Sequence, residues 1–215
     1  MLKKNLGKFY YLPALLLMIL IGWALFVVLR PSMPDLSYGE RADIESLLSE
    51  WRDGDLIVVI RHLERCDRSD VPCLRDDPGG ITARSVEAAQ ALREDYYQLG
   101  LDKTDIYFSP MTRTAQTSEL VFDQARVQDW LYQCRKAGDL FQSAIRNKAP
   151  GRNLVLVTHS SCIDKFENAL GFDSEVPQYG SSIFVHADDE PIKPRLIGFV
   201  DPDDWDRVFA PNNGG

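Results

Sequence analysis

The stretch Val58-Val-Ile-Arg-His-Leu-Glu-Arg-Cys66 decides the fold. Its first half belongs to an uninterrupted apolar run, Leu56 to Ile60, rich in β-branched residues, which predicts a strand buried on both faces of a parallel sheet. Its second half sets Arg61 and His62 where that strand ends, and in α/β domains ligands meet the carboxyl ends of strands. Ile106-Tyr-Phe-Ser-Pro-Met-Thr-Arg113 repeats the arrangement, a strand running into a helix start that carries an Arg. Leu154-Val-Leu-Val-Thr-His159 repeats it again and ends on a second His. Two imidazoles and two guanidiniums at three strand ends suit a single phosphate group.

Outward from these strands, helices and strands alternate. Ile44, Leu47, Leu48 and Trp51 recur at helical spacing and predict an amphipathic helix over 41–52, ended by Gly54. Residues 63 to 80 are polar, contain Pro78, Gly79 and Gly80, and predict a loop. Thr82 is the expected N-cap of a helix whose Val86, Ala89, Leu92, Tyr96 and Leu99 share a face, with Gly100 closing it. A helix is expected over 111–123, another around Leu140 to Ile145, and a third from about Ser161 to Leu170. Ser182 to His186 and Arg195 to Val200 are expected as a terminal pair of strands. The pattern is α/β with a mostly parallel sheet flanked by helices.

The N-terminus has a different character. From Phe9 to Leu29 no residue is charged, and a helix of that length spans roughly 30 Å, about the hydrocarbon thickness of a bilayer. Lys3, Lys4 and Lys8 precede it and only Arg30 follows closely, so the positive-inside bias leaves the N-terminus cytoplasmic. A cleavable signal peptide would have a shorter apolar region ending in small residues, which Ala24-Leu-Phe-Val-Val-Leu-Arg30 does not supply. The expected organisation is therefore a cytoplasmic segment 1–8, a transmembrane anchor 9–30, a Pro- and Ser-rich linker 31–40, and a domain 41–215 outside the membrane.

The 215 residues carry a formal net charge of −8, which argues against nonspecific nucleic-acid binding. A pocket responds to its near charges, however, and Arg61, Arg65, Arg68 and Arg113 gather around the strand ends. The four cysteines fit a domain in an oxidising compartment: Cys66 and Cys73 flank a short polar loop, and Cys134 and Cys162 remain as a second possible pair. Free reactive thiols are the alternative. Structural zinc is disfavoured because no cysteine pair has the usual two-to-four-residue spacing. His186 reads as structural, and Asp201-Pro-Asp-Asp-Trp-Asp206 as a solvated acidic tail whose spacing fits no calcium loop.

Arg61-His62 after one strand, Ser109-Pro-x-x-Arg113-Thr114 after another and Thr158-His159 after a third resemble, in order and spacing, the histidine phosphatase superfamily with its phosphoglycerate-mutase-like fold. The resemblance covers residues 55 to about 200. Arg61-His-Leu-Glu-Arg-Cys-Asp-Arg68, Cys73-Leu, Gly80-Ile-Thr82, Leu131-Tyr-Gln-Cys134 and Thr158-His-Ser-Ser-Cys162 look, more narrowly, like the phosphatases of lipopolysaccharide core heptose. The resemblance implies a metal-independent phosphomonoesterase without a cofactor, facing the periplasm from the inner membrane and acting on a phosphorylated lipopolysaccharide sugar. It implies His62 as the nucleophile that becomes phosphorylated, with Arg61, Arg113 and His159 on the phosphoryl group. Arg65 and Arg68 either touch the substrate or merely solvate the loop, and Ser160 is a further expected substrate contact. The chemistry agrees, since a neutral imidazole can attack phosphorus without a base to activate it, and preorganised guanidiniums stabilise the charge that develops on the phosphoryl oxygens.

Two positions depart from the family pattern. Leu63 stands where relatives carry Gly, and Gln133 falls near the position where many have the Glu that protonates the leaving oxygen. Glu64 and Asp129 are the candidate acids, because a sugar alkoxide is a poor leaving group. A phosphomutase would use the same residues, and a noncatalytic phosphate- or glycan-binding module is the other reading that these departures allow. Redox exchange by the cysteines is disfavoured by the absence of a Cys-x-x-Cys motif.

Overall fold

The computed structural model describes residues 7–28, 31–134, 139–173, 176–187 and 194–210, and within the first helix the side chains of 13–24. Helices α1 (Gly7–Val28) and α2 (Arg41–Asp53) precede β1 (Leu56–Arg61). There follow α3 (Ser85–Leu99), β2 (Thr104–Phe108), α4 (Thr112–Val121), β3 (Ala125–Val127), α5 (Trp130–Gln133) and α6 (Leu140–Asn147). The chain continues through β4 (Asn153–Thr158), α7 (Ser160–Ala169), β5 (Ser182–His186), β6 (Arg195–Val200) and α8 (Trp205–Phe209).

One six-stranded sheet runs in the order β3-β2-β4-β1-β5-β6. The first four strands are mutually parallel, whereas β5 pairs antiparallel with β1 and β6 antiparallel with β5, so the sheet is mixed. The chain leaves β1, builds β2 and β3 outward, and returns to lay β4 between β2 and β1. That return makes the carboxyl ends of β1, β4 and β2 neighbours.

Successive side chains of a strand face opposite ways, and β1 divides accordingly. Leu56, Val58 and Ile60 pack with Ile44, Leu47, Trp51, Leu92, Tyr96 and Trp205 on the face covered by α2, α3, α4 and α8. Ile57 and Val59 join Leu154, Leu156, Leu131, Leu140, Ile163 and Phe166 on the other face, under α5, α6 and α7. Every residue of β1 and of β4 is buried. Burying each such Val, Leu or Ile side chain contributes about 1.5–3 kcal/mol, so these two strands anchor the site they carry. At the opposite end of β1, Gly54 ends α2 with φ +88°, and a Cβ there would fall 2.3 Å from the Gly151 carbonyl oxygen, so the turn into the sheet requires glycine.

Several expectations change. Strand β3 was hidden in sequence because it is only three residues long, none of them buried. Helix α3 starts at Ser85 and not from a Thr82 cap, because the buried Thr82 hydroxyl is engaged with Glu64 at 2.9 Å and Ser85 at 2.8 Å. The acidic segment 201–206 is not a solvated tail: Trp205 is buried in the core, and Asp201 accepts hydrogen bonds from Ser181 and Gln178. The expected linker docks on the domain, with Leu36 buried, Phe199 N–H donating to the Pro34 carbonyl at 2.9 Å and Asp173 N–H to that of Pro31 at 3.1 Å. His186 meets Glu50 at 2.9 Å, at the end of β5 away from the site.

Among the described residues no helix is long and apolar enough to cross a membrane. The anchor expected over 9–30 falls partly on side chains outside the described ones, and those of α1 that are described, 13–24, are all exposed.

Candidate active site

Strand register brings the site together. Arg61 lies opposite Thr158 in the β1–β4 ladder, so His62 and His159 follow side by side, and His62 N–H donates to the Thr158 carbonyl at 3.0 Å. Phe108 lies opposite Val157, so Ser109 and the turn into α4 emerge beside His159. The second residue of α4 is Arg113, whose side chain turns back over the strand ends. The imidazoles of His62 and His159 sit edge to face with centroids 5.3 Å apart, and Arg61, His62, Arg113 and His159 are all buried. The four residues expected to hold one phosphate thus converge.

Two contacts fix the protonation of His62. Its Nδ1 lies 2.7 Å from the Leu63 carbonyl oxygen, which can only accept, so Nδ1 carries the proton. Its Nε2 lies 3.1 Å from Nε of Arg113, which can only donate, so Nε2 presents a lone pair. Burial above all holds the imidazole far below its ordinary value, at about 3, with Arg113, Arg61 and Arg65 adding to the effect and the Leu63 carbonyl opposing it. The ring is neutral throughout the physiological range and aims a nucleophilic nitrogen at the guanidinium that would hold the phosphoryl oxygens. His159 contributes through Nε2, which lies 3.0 Å from the buried Ser109 hydroxyl.

Arg61 is held differently. One terminal nitrogen donates to the Pro177 carbonyl, and the guanidinium carbon lies 3.8 Å from the ring centroid of Tyr179. Burial lowers its affinity for its proton, the Tyr179 phenol opposes that effect, and the nearby charges of Arg68 and Arg65 add to it. The local field is therefore positive in a chain whose net charge is −8.

The remaining expected residues are dispersed around this centre. Arg65 forms a bidentate pair with Asp67, Nε to Oδ1 at 2.7 Å, and Asp67 raises its affinity for the proton. Arg68 is exposed on the same loop. Glu64 is gripped by Arg84 through two nitrogens and by the Thr82 hydroxyl, contacts that hold its carboxyl below the ordinary range. A carboxylate so engaged is ill suited to donate a proton. Asp129 is exposed two residues beyond β3, at the same end of the sheet, and Ser160 is the half-buried first residue of α7. The Leu63 side chain is buried and reaches Gly180, whose φ is +89° and whose added Cβ would stand 3.3 Å from Leu63 Cδ2. Bulk at 63 is thus matched by its absence at 180.

The cysteines pair as Cys66–Cys73 and Cys134–Cys162. The first closes the loop that follows His62. The second ties the end of α5 to the first turn of α7, directly after His159.

Three contributors escaped the sequence reading. Thr117, one helical turn after Arg113, accepts the Leu63 N–H at 3.1 Å and donates to the Arg113 carbonyl at 2.7 Å, and the i, i+4 spacing was its signal. Ser109 marks a turn in the sequence, and its hydroxyl, in contact with His159, leaves no mark there. Tyr179 precedes β5 in a turn without any spacing relation to the histidines.

No protein-family model matches the chain. The lipopolysaccharide core heptose(II)-phosphate phosphatase of Escherichia coli O7:K1 (strain IAI39 / ExPEC) is 30% identical over 153 residues, 69% of this chain and 74% of that protein. The protein of the same name from Escherichia coli O139:H28 (strain E24377A / ETEC) is 29% identical over the same shares. Among solved structures, the protein histidine phosphatase SixA complexed with tungstate aligns with a TM-score of 0.48 at 13% identity, over 69% of this chain and 97% of that one. The mycobacterial glucosyl-3-phosphoglycerate phosphatase complexed with VO3 aligns at 0.47 and 15% identity, over 66% and 97%. By its sequence relationship to these Escherichia coli phosphatases, and with its paired strand-end histidines and arginines gathered at one end of the sheet, the chain belongs to the histidine phosphatase family and is a phosphoric monoester hydrolase.

Proposed function

We propose that this enzyme removes phosphate from a heptose of the lipopolysaccharide core through a phosphohistidine on Nε2 of His62, without a metal ion. The heptose phosphate is suggested by the name of its Escherichia coli relatives. The observation that carries the mechanism is the tautomer of His62, with its proton on Nδ1 against the Leu63 carbonyl and its Nε2 lone pair facing Arg113. Nε2 attacks phosphorus and the bond from phosphorus to the sugar oxygen breaks. Arg61, Arg113 and His159 stabilise the charge on the three remaining oxygens, and the first-turn amides of α4 favour the same anion. Arg68 extends the positive field to the rim of the site, where Arg65 is matched by Asp67. Because Glu64 is committed to Arg84 and Thr82, we assign protonation of the leaving oxygen to Asp129, exposed just past the carboxyl end of β3. Water then attacks the phosphohistidine and releases phosphate.

In this reading residues 9–30 anchor the enzyme in the inner membrane and the domain faces the periplasm. The uncharged run from Phe9 to Leu29, the lysines before it and the two disulfides support that placement. Rapid quenching of the full chain with an activated aryl phosphate, followed by peptide mass spectrometry, tests the mechanism. A phosphoryl adduct on His62, lost in His62→Ala together with turnover, is expected even with chelator present. Full turnover by His62→Ala would overturn it. Core lipopolysaccharide from cells with and without the protein is expected to differ by one phosphate, and identical cores would remove the substrate assignment.

A further inference from the structure

Arg61 is fastened by neutral groups alone. The Pro177 carbonyl takes one terminal nitrogen, the Tyr179 ring covers the guanidinium, and among the described residues no carboxylate pairs with it. Its Nε is buried and meets no acceptor among the described residues. Both partners come from one short turn, and that turn is itself braced. Gly180 N–H donates to the Arg61 carbonyl at 3.0 Å and Arg61 N–H to that of Ser181 at 3.1 Å. Gln178 and Ser181, on either side of Tyr179, both donate to the side chain of Asp201, the former at 2.9 Å. The Tyr179 ring also lies 5.7 Å from that of His62, so the clamp stands beside the nucleophile.

Fastening an arginine this way has a chemical purpose. A carboxylate would hold the guanidinium equally well, yet it would neutralise the charge and repel an incoming phosphate. An aromatic face attracts the cation through its quadrupole and adds no net charge. The neighbouring Arg65 and Arg68 charges press on Arg61, so without a clamp it would be driven outward.

We propose that Tyr179 is a positioning residue of this reaction, a neutral clamp that aims Arg61 at the phosphoryl group while leaving its full charge for the substrate. This rests on the phosphohydrolase reading above. The test uses the full chain with p-nitrophenyl phosphate as substrate and orthovanadate as anion probe. Tyr179→Leu is expected to lower kcat about tenfold and weaken vanadate inhibition about as much, while KM moves less, because Arg61 acts chiefly on the transition state. Tyr179→Phe, which keeps the ring, restores the rate to within about twofold. In an Arg61→Ala background, Tyr179→Leu is expected to cost nothing further, since a residue acting through Arg61 has nothing left to aim. Tyr179→Glu replaces the neutral clamp by a charged one and is expected to weaken vanadate inhibition more than Tyr179→Leu does, a comparison that stands even if Leu loosens the turn.

Wild-type rates in Tyr179→Leu would overturn the proposal. So would an equal loss in Tyr179→Phe, which would mean that the hydroxyl and not the ring carries the effect, or an undiminished loss in the Arg61→Ala background. Vanadate inhibition of Tyr179→Glu at the wild-type level would also overturn it. Failure of the phosphohydrolase reading looks different, because Arg61→Ala alone would then leave turnover intact.

Discussion

The floor and the rim of the pocket hold their arginines by opposite means. On the floor, Arg61 rests on a ring and a carbonyl, and Arg113 gives its Nε to the lone pair of His62. On the rim, Arg65 is matched to Asp67 and Arg84 to Glu64 by bidentate ion pairs. The distances are comparable and the consequences are not. Arg61, facing neutral groups in a buried site, remains a charge awaiting a counter-charge, and its field is strong because little water screens it. A guanidinium facing a carboxylate near solvent is already neutralised and contributes little beyond shaping the loop. The floor is built to receive an anion, and the rim is built to hold the floor in place.

The sharpest way to break this comparison is to remove one arginine from each region. Arg61→Ala is expected to lower kcat/KM for an aryl phosphate by about a thousandfold, near 4 kcal/mol, the range for losing a preorganised donor to a developing oxyanion. Arg84→Ala is expected to stay within about twofold of wild type. Equal losses would show that the rim takes part in the chemistry. The disulfides give the next largest effect and sharpen the distinction. By loop entropy, removing Cys134–Cys162, with a sequence separation of 28, costs about 3.5 kcal/mol of stability, and removing Cys66–Cys73, with a separation of 7, about 2.5 kcal/mol. Thermal melts of Cys→Ser pairs check the order. Because Cys66–Cys73 closes the rim loop and not the floor, its loss should lower the melting temperature more than it lowers kcat at 25 °C.

Much of the floor was legible in sequence, because it is written in strands. Apolar stretches that stop at Arg61-His62, at Ser109 and at His159 define strand ends, and parallel pairing converts strand ends into one place. The alternation of β1 between two cores follows from the same run. The rim was less legible. Glu64 stands beside the nucleophile in sequence, yet its partner Arg84 is twenty residues away, and a salt bridge leaves no periodic trace. Tyr179 was invisible for a related reason, since its relation to Arg61 depends on an antiparallel strand, β5, whose start is set by the turn and not by an apolar pattern. Asp201 was misread because its neighbours are acidic, whereas Trp205 carries the segment into the core.

The floor should also show in the pH dependence of stability. His62 has a folded-state value of about 3 against an ordinary 6.5, so above pH 6.5 it is neutral in both states and has no effect. As pH falls from 6.5 towards 3 the unfolded chain takes up a proton that the folded chain refuses, and stability is lost. At pH 5 this amounts to about 2 kcal/mol. His62→Asn, which cannot titrate, is expected to gain on the wild type by about that amount between pH 7.5 and pH 5 in denaturant melts. Parallel curves would mean that His62 is protonated in the folded enzyme and that the tautomer argument fails.

The smallest expected effect is the most discriminating for the chemistry. If Glu64 supplied the proton to the leaving oxygen, Glu64→Gln would lower kcat for a sugar phosphate about a hundredfold or more and leave p-nitrophenyl phosphate, whose leaving group needs no proton, nearly untouched. As a rim brace it should do neither. Its carboxyl accepts from both Arg84 nitrogens and from Thr82, and a Gln can replace only part of that set. We expect both substrates to stay within about twofold of wild type, with a slight drop in melting temperature that fades in high salt as the lost ion pair would itself be screened. Asp129→Asn is the counterpart, expected to show the leaving-group dependence that Glu64→Gln lacks. If the two variants exchange these behaviours, the acid sits on the rim after all, and the division between a reactive floor and a structural rim has to be redrawn at Glu64.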